Sequence, residues 1–309
     1  MKWERENIPQ LAQVLEAETG VKVEVHAPLA PLTSWKIGGA ADILARPQSV
    51  AAAGGVFEFL HLQRWPWVVL GRGTNVLVPD AGIRGVVVQL NHLANVAPTD
   101  AGVYTVGAGA FLPELVRICS CSGYSGIEDL AAIPASVGGA TVMNAGAGAQ
   151  SIADVLTQIC VIQDGRMRHL NPSQLNFGYR CSGISYAMVV LEVSLKLHYV
   201  STQQCLARRT AALEHRKHAQ QVGMPNAGSV FRNPPGASAW KLIDACGLRG
   251  CSIGGAQVSL HHTNFIVNTG AASAADVMAL ITHVQREVYQ HCGVTLEPEI
   301  RILPEEIKI

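Results

Sequence analysis

Charge is scarce in this 309-residue chain: 15% of its residues are Asp, Glu, Lys or Arg, and 23 basic side chains balance 23 acidic ones. A chain without net charge has no global field to hold nucleic acid or an anionic membrane surface, which leaves only local basic pockets. No run of about 18 apolar residues is present, so membrane insertion by a spanning helix is not expected. The eight cysteines (119, 121, 160, 181, 205, 246, 251 and 292) contain no CxxC pair, so neither a zinc site nor a dithiol redox motif is signalled. Adjacent His261 and His262 would point to opposite faces of a strand, a poor arrangement for holding a metal; no metal is expected. The opening MKWERENIPQ lacks the apolar run of a signal peptide, and a reducing, cytoplasmic setting with free thiols is expected.

Three familiar motifs are missing as well. No GK[ST] follows a glycine-rich turn, so there is no P-loop; Gly71-Arg-Gly-Thr-Asn75 lacks the third glycine of a Rossmann fingerprint; and Ser229 stands outside a G-x-S-x-G frame.

What is present is a core-forming composition, 49% hydrophobic, enough for two or three domains. An amphipathic helix is expected over residues 7–18, a strand over 41–45 and a helix over 48–62. Strands follow near 67–70, 76–78, 85–90 and 103–106, then a helix over 112–122. Asp164-Gly165 marks a hairpin between strands at 155–163 and 169–170, and an alternating strand is expected over 187–200. A charged helix, 202–220, reads as a linker to a last unit with a short helix at 240–246, strands at 256–260 and 265–268, a helix over 273–292 capped by Ser273 and Gly293, and a final strand at 295–303. The division expected is 1–200, in two α/β parts of about 20–95 and 96–200, followed by 201–309.

Gly123–Gly148 is the unusual stretch. Almost entirely small residues, it is not expected to pack as an ordinary helix or strand. Two readings compete: tight packing between elements, or backbone N–H groups brought close to a phosphate. GRGTN at 71–75 reads either as an anion cradle or as a tight hairpin.

Reactive side chains lie beside sharp turns at three places. Arg180, after Phe-Gly-Tyr, is either a structural arginine or a fork for a carboxylate or developing oxyanion. Ser229, after Asn-Ala-Gly, is either a turn cap or a hydroxyl directed into a pocket. Glu297 and Glu299 would share one face of the last strand, Pro298 between them marking an edge or bulge; the residues alone do not choose between the two glutamates.

In order, TSWKIGGAAD, GRGTNVLVPDAGIRGVVV, VGAG, GYSGIEDLAAIPASVGGATVMNAGA, FGYRCS, NAGSVFRNP, KLIDACGLRG, IGGAQVSLHHTNFIVN and LEPEIR make the chain resemble the UDP-N-acetylenolpyruvoylglucosamine reductase (MurB) family from about Leu29 to Leu303. The resemblance implies an α+β protein: a two-subdomain FAD-binding fold of the vanillyl-alcohol-oxidase type (1–200) plus a C-terminal α/β substrate-binding domain (201–309). It implies FAD as cofactor and NADPH as electron donor. The implied substrate is UDP-N-acetylglucosamine-enolpyruvate, reduced to UDP-N-acetylmuramate in peptidoglycan precursor synthesis.

By motif match Arg180 stabilises charge, Ser229 donates the proton and Glu299 is its acid partner. Gly71, Gly73, Thr74, Asn75, Ile133, Pro134, Gly138, Gly139, Asn144 and Gly146 would cradle FAD. Ser229 follows Arg180 by only 49 positions, which implies the short-loop subtype without a tyrosine-bearing lid. Lys36, Ala135 and the GAGAQ of 146–150 depart from the family pattern. An oxidase of the same fold and a non-catalytic UDP-sugar-binding paralogue are the rival readings; the residues carry no signal of oligomeric state.

Overall fold

The computed structural model describes residues 3–220 and 223–304. Three sheets of four or five strands, packed against hydrophobic cores, organise it. In the first, the strands run in the order Val23–Pro28, Ala40–Ala45, Ile83–Gln89, Trp67–Leu70, the first pair antiparallel and the others parallel. Val86, Val87 and Val88 are all buried, as a parallel strand covered on both faces requires. Alternate residues enter different cores. Val86 and Val88 pack with the helices Ile8–Thr19 (α1) and Val50–Gln63 (α2), while Val87 joins Leu44 and Leu70 on the other face. In α1, Ile8, Leu11, Ala12 and Leu15 form the buried stripe of an amphipathic helix.

The second sheet is antiparallel, in the order Arg166–Leu170, Leu156–Gln163, Met188–Lys196, Val103–Gly107, Val96–Asp100. Its first hairpin turns on Asp164 and Gly165, both at positive φ (52° and 70°), as the twist of a two-residue hairpin demands. The strand expected over 187–200 stops at Lys196; His198–Tyr199 pairs instead with Tyr124–Ser125. Leu112–Cys121 (α3) packs against this sheet.

Gly123–Gly148, not expected to pack as an ordinary helix or strand, does hold one short helix. Val137–Val142 (α4) forms one turn and a half, started by Ser136, whose Oγ accepts from the Gly139 N–H. Its glycines are tolerated because the cap and a flat, close contact on Ala108 replace side-chain packing: a Cβ on Gly138 would lie 2.7 Å from the Ala108 Cβ. The charged helix Thr202–Gln220 (α5) is likewise more than a linker. It packs on α3 and on the 3₁₀ turn Glu128–Ala132.

The third sheet is antiparallel, ordered Asn226–Ser229, Phe265–Asn268, Ala256–Val258, Ser252–Ile253, with Ala239–Ala245 (α6) and Ala274–Cys292 (α7) packed on it. Ser273 and Asp276 form a reciprocal capping box at the start of α7, and Gly293 ends it at φ 68°. Trp35, Ile37 and Leu77, which lie between strands of the first sheet, are buried in this third core.

The final strand expected over 295–303 shrinks to Arg301–Ile302, parallel to Val76–Leu77. Proline 298 has no N–H for a ladder. The segment before 301 hydrogen-bonds instead beside the Ser229 strand: Arg232 N–H donates to Glu297 O (2.9 Å) and Glu299 N–H to Val230 O (2.7 Å). Among the described residues no helix is long and apolar enough to cross a membrane, and no three His, Cys, Asp or Glu side chains group as metal ligands.

Candidate active site

A cavity of about 990 Å³ opens where the three sheets meet, at the upper end of ligand-site volumes. One wall is the Gly71–Asn75 loop leaving Trp67–Leu70; a second is the 133–139 turn into α4; α5 contributes Arg208, His215 and Arg216. The small residues first hold these walls together. A Cβ on Gly71 would stand 2.7 Å from Ser136 Oγ, and Gly73, at φ 65°, lies against the Leu32 backbone. Tight packing and a bare backbone surface are therefore two consequences of the same glycines.

Of the cradle residues expected from sequence, Gly71, Gly73, Thr74, Asn75, Ile133, Pro134, Gly138, Gly139 and Gly146 line the cavity. Asn144 does not: its Nδ2 donates to Gly178 O (2.8 Å) and its Oδ1 accepts from Ala153 N–H (3.3 Å). It ties the glycine-rich stretch to the turn that carries Arg180. Lys36, at φ 60°, donates to Pro31 O (3.0 Å) from an exposed position, and Ala135 needs no positive φ. Sequence reasoning missed Arg72, Ser136, Arg208 and Arg216. The one available signal was the spacing of Arg208, His215 and Arg216, which places all three along one helix face.

Arg180 sits in the Gly178–Cys181 turn at φ 54°, a left-handed conformation that costs an L-residue about 1 kcal/mol. That turn carries the guanidinium inward. Nη1 donates to Gly146 O (3.0 Å), and Nε lies 2.7 Å from Glu299 Oε1, an ion pair in which the N–H is not aimed along the line of a hydrogen bond.

The two glutamates do not share a face. The Glu299 side chain is 15% exposed and meets Arg180, whereas Glu297 is 75% exposed and lies 4.0 Å from Arg232. The bend at Pro298, fixed by the bonds to Val230 and Arg232, breaks the two-residue alternation. Burial raises the Glu299 carboxyl above the usual carboxylate range, against the opposing pull of Arg180, Arg232 and Arg216.

Ser229 ends the strand Asn226–Ser229 opposite Phe265, after a bulge at Gly228 (φ 77°). Its hydroxyl has no hydrogen-bond partner among the described residues, so it is available to a ligand. Arg180, Ser229 and Glu299 also border a second pocket, of about 270 Å³, with Asn233, Trp240 and His262 on its far side. There burial lowers the proton affinity of His262, which accepts from Asn264 N–H at Nδ1 (3.3 Å) and stacks edge-on to Phe265. The three side chains thus form the wall shared by a long cavity and a small pocket. A guanidinium, an unpaired hydroxyl and a carboxyl of raised proton affinity can together stabilise an anion and protonate it.

Residues 41–171 match an FAD binding domain, and residues 220–303 match the C-terminal domain of UDP-N-acetylenolpyruvoylglucosamine reductase. The chain is 43% identical over 281 residues to the UDP-N-acetylenolpyruvoylglucosamine reductase of Syntrophotalea carbinolica, covering 91% of this chain and 94% of that one. With the enzyme of the same name from Geobacter metallireducens it shares 40% identity, over 94% of this chain and 97% of the relative. The crystal structure of UDP-N-acetylenolpyruvylglucosamine reductase (MurB) from Thermus caldophilus superposes with a TM-score of 0.78 at 36% identity, over 92% of this chain and 99% of that one.

Proposed function

Because the chain belongs to the UDP-N-acetylenolpyruvoylglucosamine reductase family, we propose that it reduces the enolpyruvyl ether of UDP-N-acetylglucosamine-enolpyruvate to UDP-N-acetylmuramate. The electrons come from NADPH, and the step belongs to peptidoglycan precursor synthesis in the cytoplasm. The chain is an FAD-dependent reductase, and the long cavity fits that cofactor: Gly71, Gly73, Gly138 and Gly139 line it with bare backbone that a phosphate can approach, and the buried Arg72 Nε has no hydrogen-bond partner among the described residues. The 71–75 loop, the 133–139 turn and Gly146 would hold FAD, with residues 1–200 as the cofactor part and 201–309 as the substrate part. Bound there, FAD would take electrons from NADPH and pass them to the substrate.

The observation that carries this reading is the meeting of Arg180, Ser229 and Glu299 on the wall shared by the two cavities. Saturating the terminal vinyl carbon leaves an electron pair on the carbon that bears the carboxylate. Arg180 faces that charge with a planar fork, and Gly146 O helps to hold its orientation. Ser229 gives a proton to the carbon. An alcohol is a weak acid, so Glu299, whose carboxyl holds its proton above the usual range, restores the serine directly or through water.

Stopped-flow kinetics of the two half-reactions test this. Ser229→Ala is expected to leave flavin bleaching by NADPH within about twofold and to slow reoxidation by the enolpyruvyl substrate by roughly 10²–10⁴. If both half-reactions survive in that variant, Ser229 is not the proton donor. Peroxide formed in step with NADPH consumption would instead identify an oxidase, and a colourless chain that takes up no FAD would identify a non-catalytic sugar binder.

A further inference from the structure

We propose that Arg72 is the counter-charge for the phosphate groups of the flavin, a binding residue in addition to the backbone of the glycine cradle. The inference rests on the FAD reading above. Arg72 stands between the two glycines of the 71–73 turn and lines the long cavity. Its guanidinium carbon lies 4.2 Å from the centroid of the Phe111 ring, and Phe111 forms an antiparallel bridge with Ser136. The side chain therefore reaches from one wall of the cradle to the other, with one face of the guanidinium covered by the ring.

Its Nε is buried and has no hydrogen-bond partner among the described residues. Burial also lowers the guanidinium's proton affinity, the direction expected of a cation removed from water without an anion beside it. In the segments 71–75 and 133–139 it is the sole charged residue.

Three of the other four arginines of the cavity are engaged elsewhere: Arg180 meets Glu299, Arg208 donates to Ser125 Oγ (2.8 Å) and Arg301 lies over the Tyr186 ring (5.1 Å). Arg216 stands on α5, near Arg180 and Glu299 rather than within the glycine cradle. A diphosphate held by neutral N–H groups alone would still need a counter-charge in so apolar a cavity, and a guanidinium edge matches two phosphate oxygens.

The test is equilibrium dialysis of the full-length chain against FAD, FMN or riboflavin, with bound flavin read by absorbance. Arg72→Met keeps an apolar stem over Phe111 and removes the charge. It is expected to weaken FAD by about 10- to 100-fold, the loss of charge-assisted hydrogen bonds. FMN should weaken in the same direction, riboflavin should change by less than about twofold, and Arg72→Lys should fall between wild type and Met. Raising the salt concentration should weaken FAD binding to wild type more than to Arg72→Met. Equal losses for FAD and riboflavin, or no loss for FAD, overturn the proposal and leave Arg72 a packing residue. Wild-type protein that takes up no FAD overturns the cofactor reading itself. Far-ultraviolet circular dichroism of each variant separates lost binding from lost folding.

Discussion

Trp35 offers the sharpest test of how the third core is held to the first sheet. Its side chain is fully buried. The indole N–H donates to Ile266 O (2.7 Å), and Asn268 Nδ2 donates back to Trp35 O (2.9 Å). Both partners lie on Phe265–Asn268, the strand paired with the one that ends at Ser229. Trp35→Phe keeps an aromatic ring but removes the donor. The stranded Ile266 carbonyl costs about 1–3 kcal/mol, and the void left by the smaller ring adds about 1 kcal/mol, a total of about 2–4 kcal/mol. For a large domain this lowers the melting temperature by roughly 4–16 °C, measured by calorimetry or circular dichroism. Asn268→Ala removes the reciprocal bond together with those its Oδ1 accepts from Gly270 and Ala272 N–H (2.8 and 3.0 Å), and the double variant should lose less than the two singles combined, because the pair acts as one clamp. A Trp35→Phe protein that melts within about 1 °C of wild type would refute the reasoning.

Two other outcomes are expected. The Glu299 carboxyl has a folded-state pKa above its usual 4.5, so between the two values the folded chain binds more protons than the unfolded one. Stability contributed at this site therefore falls as pH rises through that window, and urea titrations from pH 4 upward should show wild type losing ground to Glu299→Gln. An advantage of wild type that grows with pH would sink the assignment. Burial pushes the Cys119 thiol up to about 12 and, with Cys292 beside it, the Cys246 thiol to about 11. Mass mapping after brief iodoacetamide treatment at pH 8 should find both unmodified in the folded chain and alkylated in urea; labelling of Cys119 under native conditions would show that the second core opens readily.

Much of the fold was legible because local rules set it. The stripe of α1, the Asp164-Gly165 hairpin, Ser273 and Gly293 around α7, and the strand Phe265–Asn268 all appear where pattern and turn chemistry put them. The failures have a common cause. Gly123–Gly148 does not read as an ordinary helix or strand when propensity is considered alone, yet Ser136 and the close contact with Ala108 make a short helix of Val137–Val142. The last strand reads as continuous until Pro298 meets the hydrogen-bonding edge beside Ser229. Asn144 reads as a cradle residue but is consumed in tying down the Arg180 turn. Strands Val23–Pro28 and Val96–Asp100 were not read from the sequence at all. Val96–Asp100, exposed over its last three residues, leaves too little alternation to detect; Val23–Pro28 alternates at every position, so its signal was present and went unread.

By itself the sequence determined the family and the flavin cofactor and singled out Arg180, Ser229 and Glu299 by motif match, because motif order survives without coordinates. Only the tertiary structure decided that Glu299 rather than Glu297 meets Arg180, that α5 is a wall of the site, and that the buried Arg72 Nε has no hydrogen-bond partner among the described residues. Each of these depends on contacts between residues far apart in the chain. Direction and burial there are set by which backbone groups pair across sheets, and no local periodicity records that.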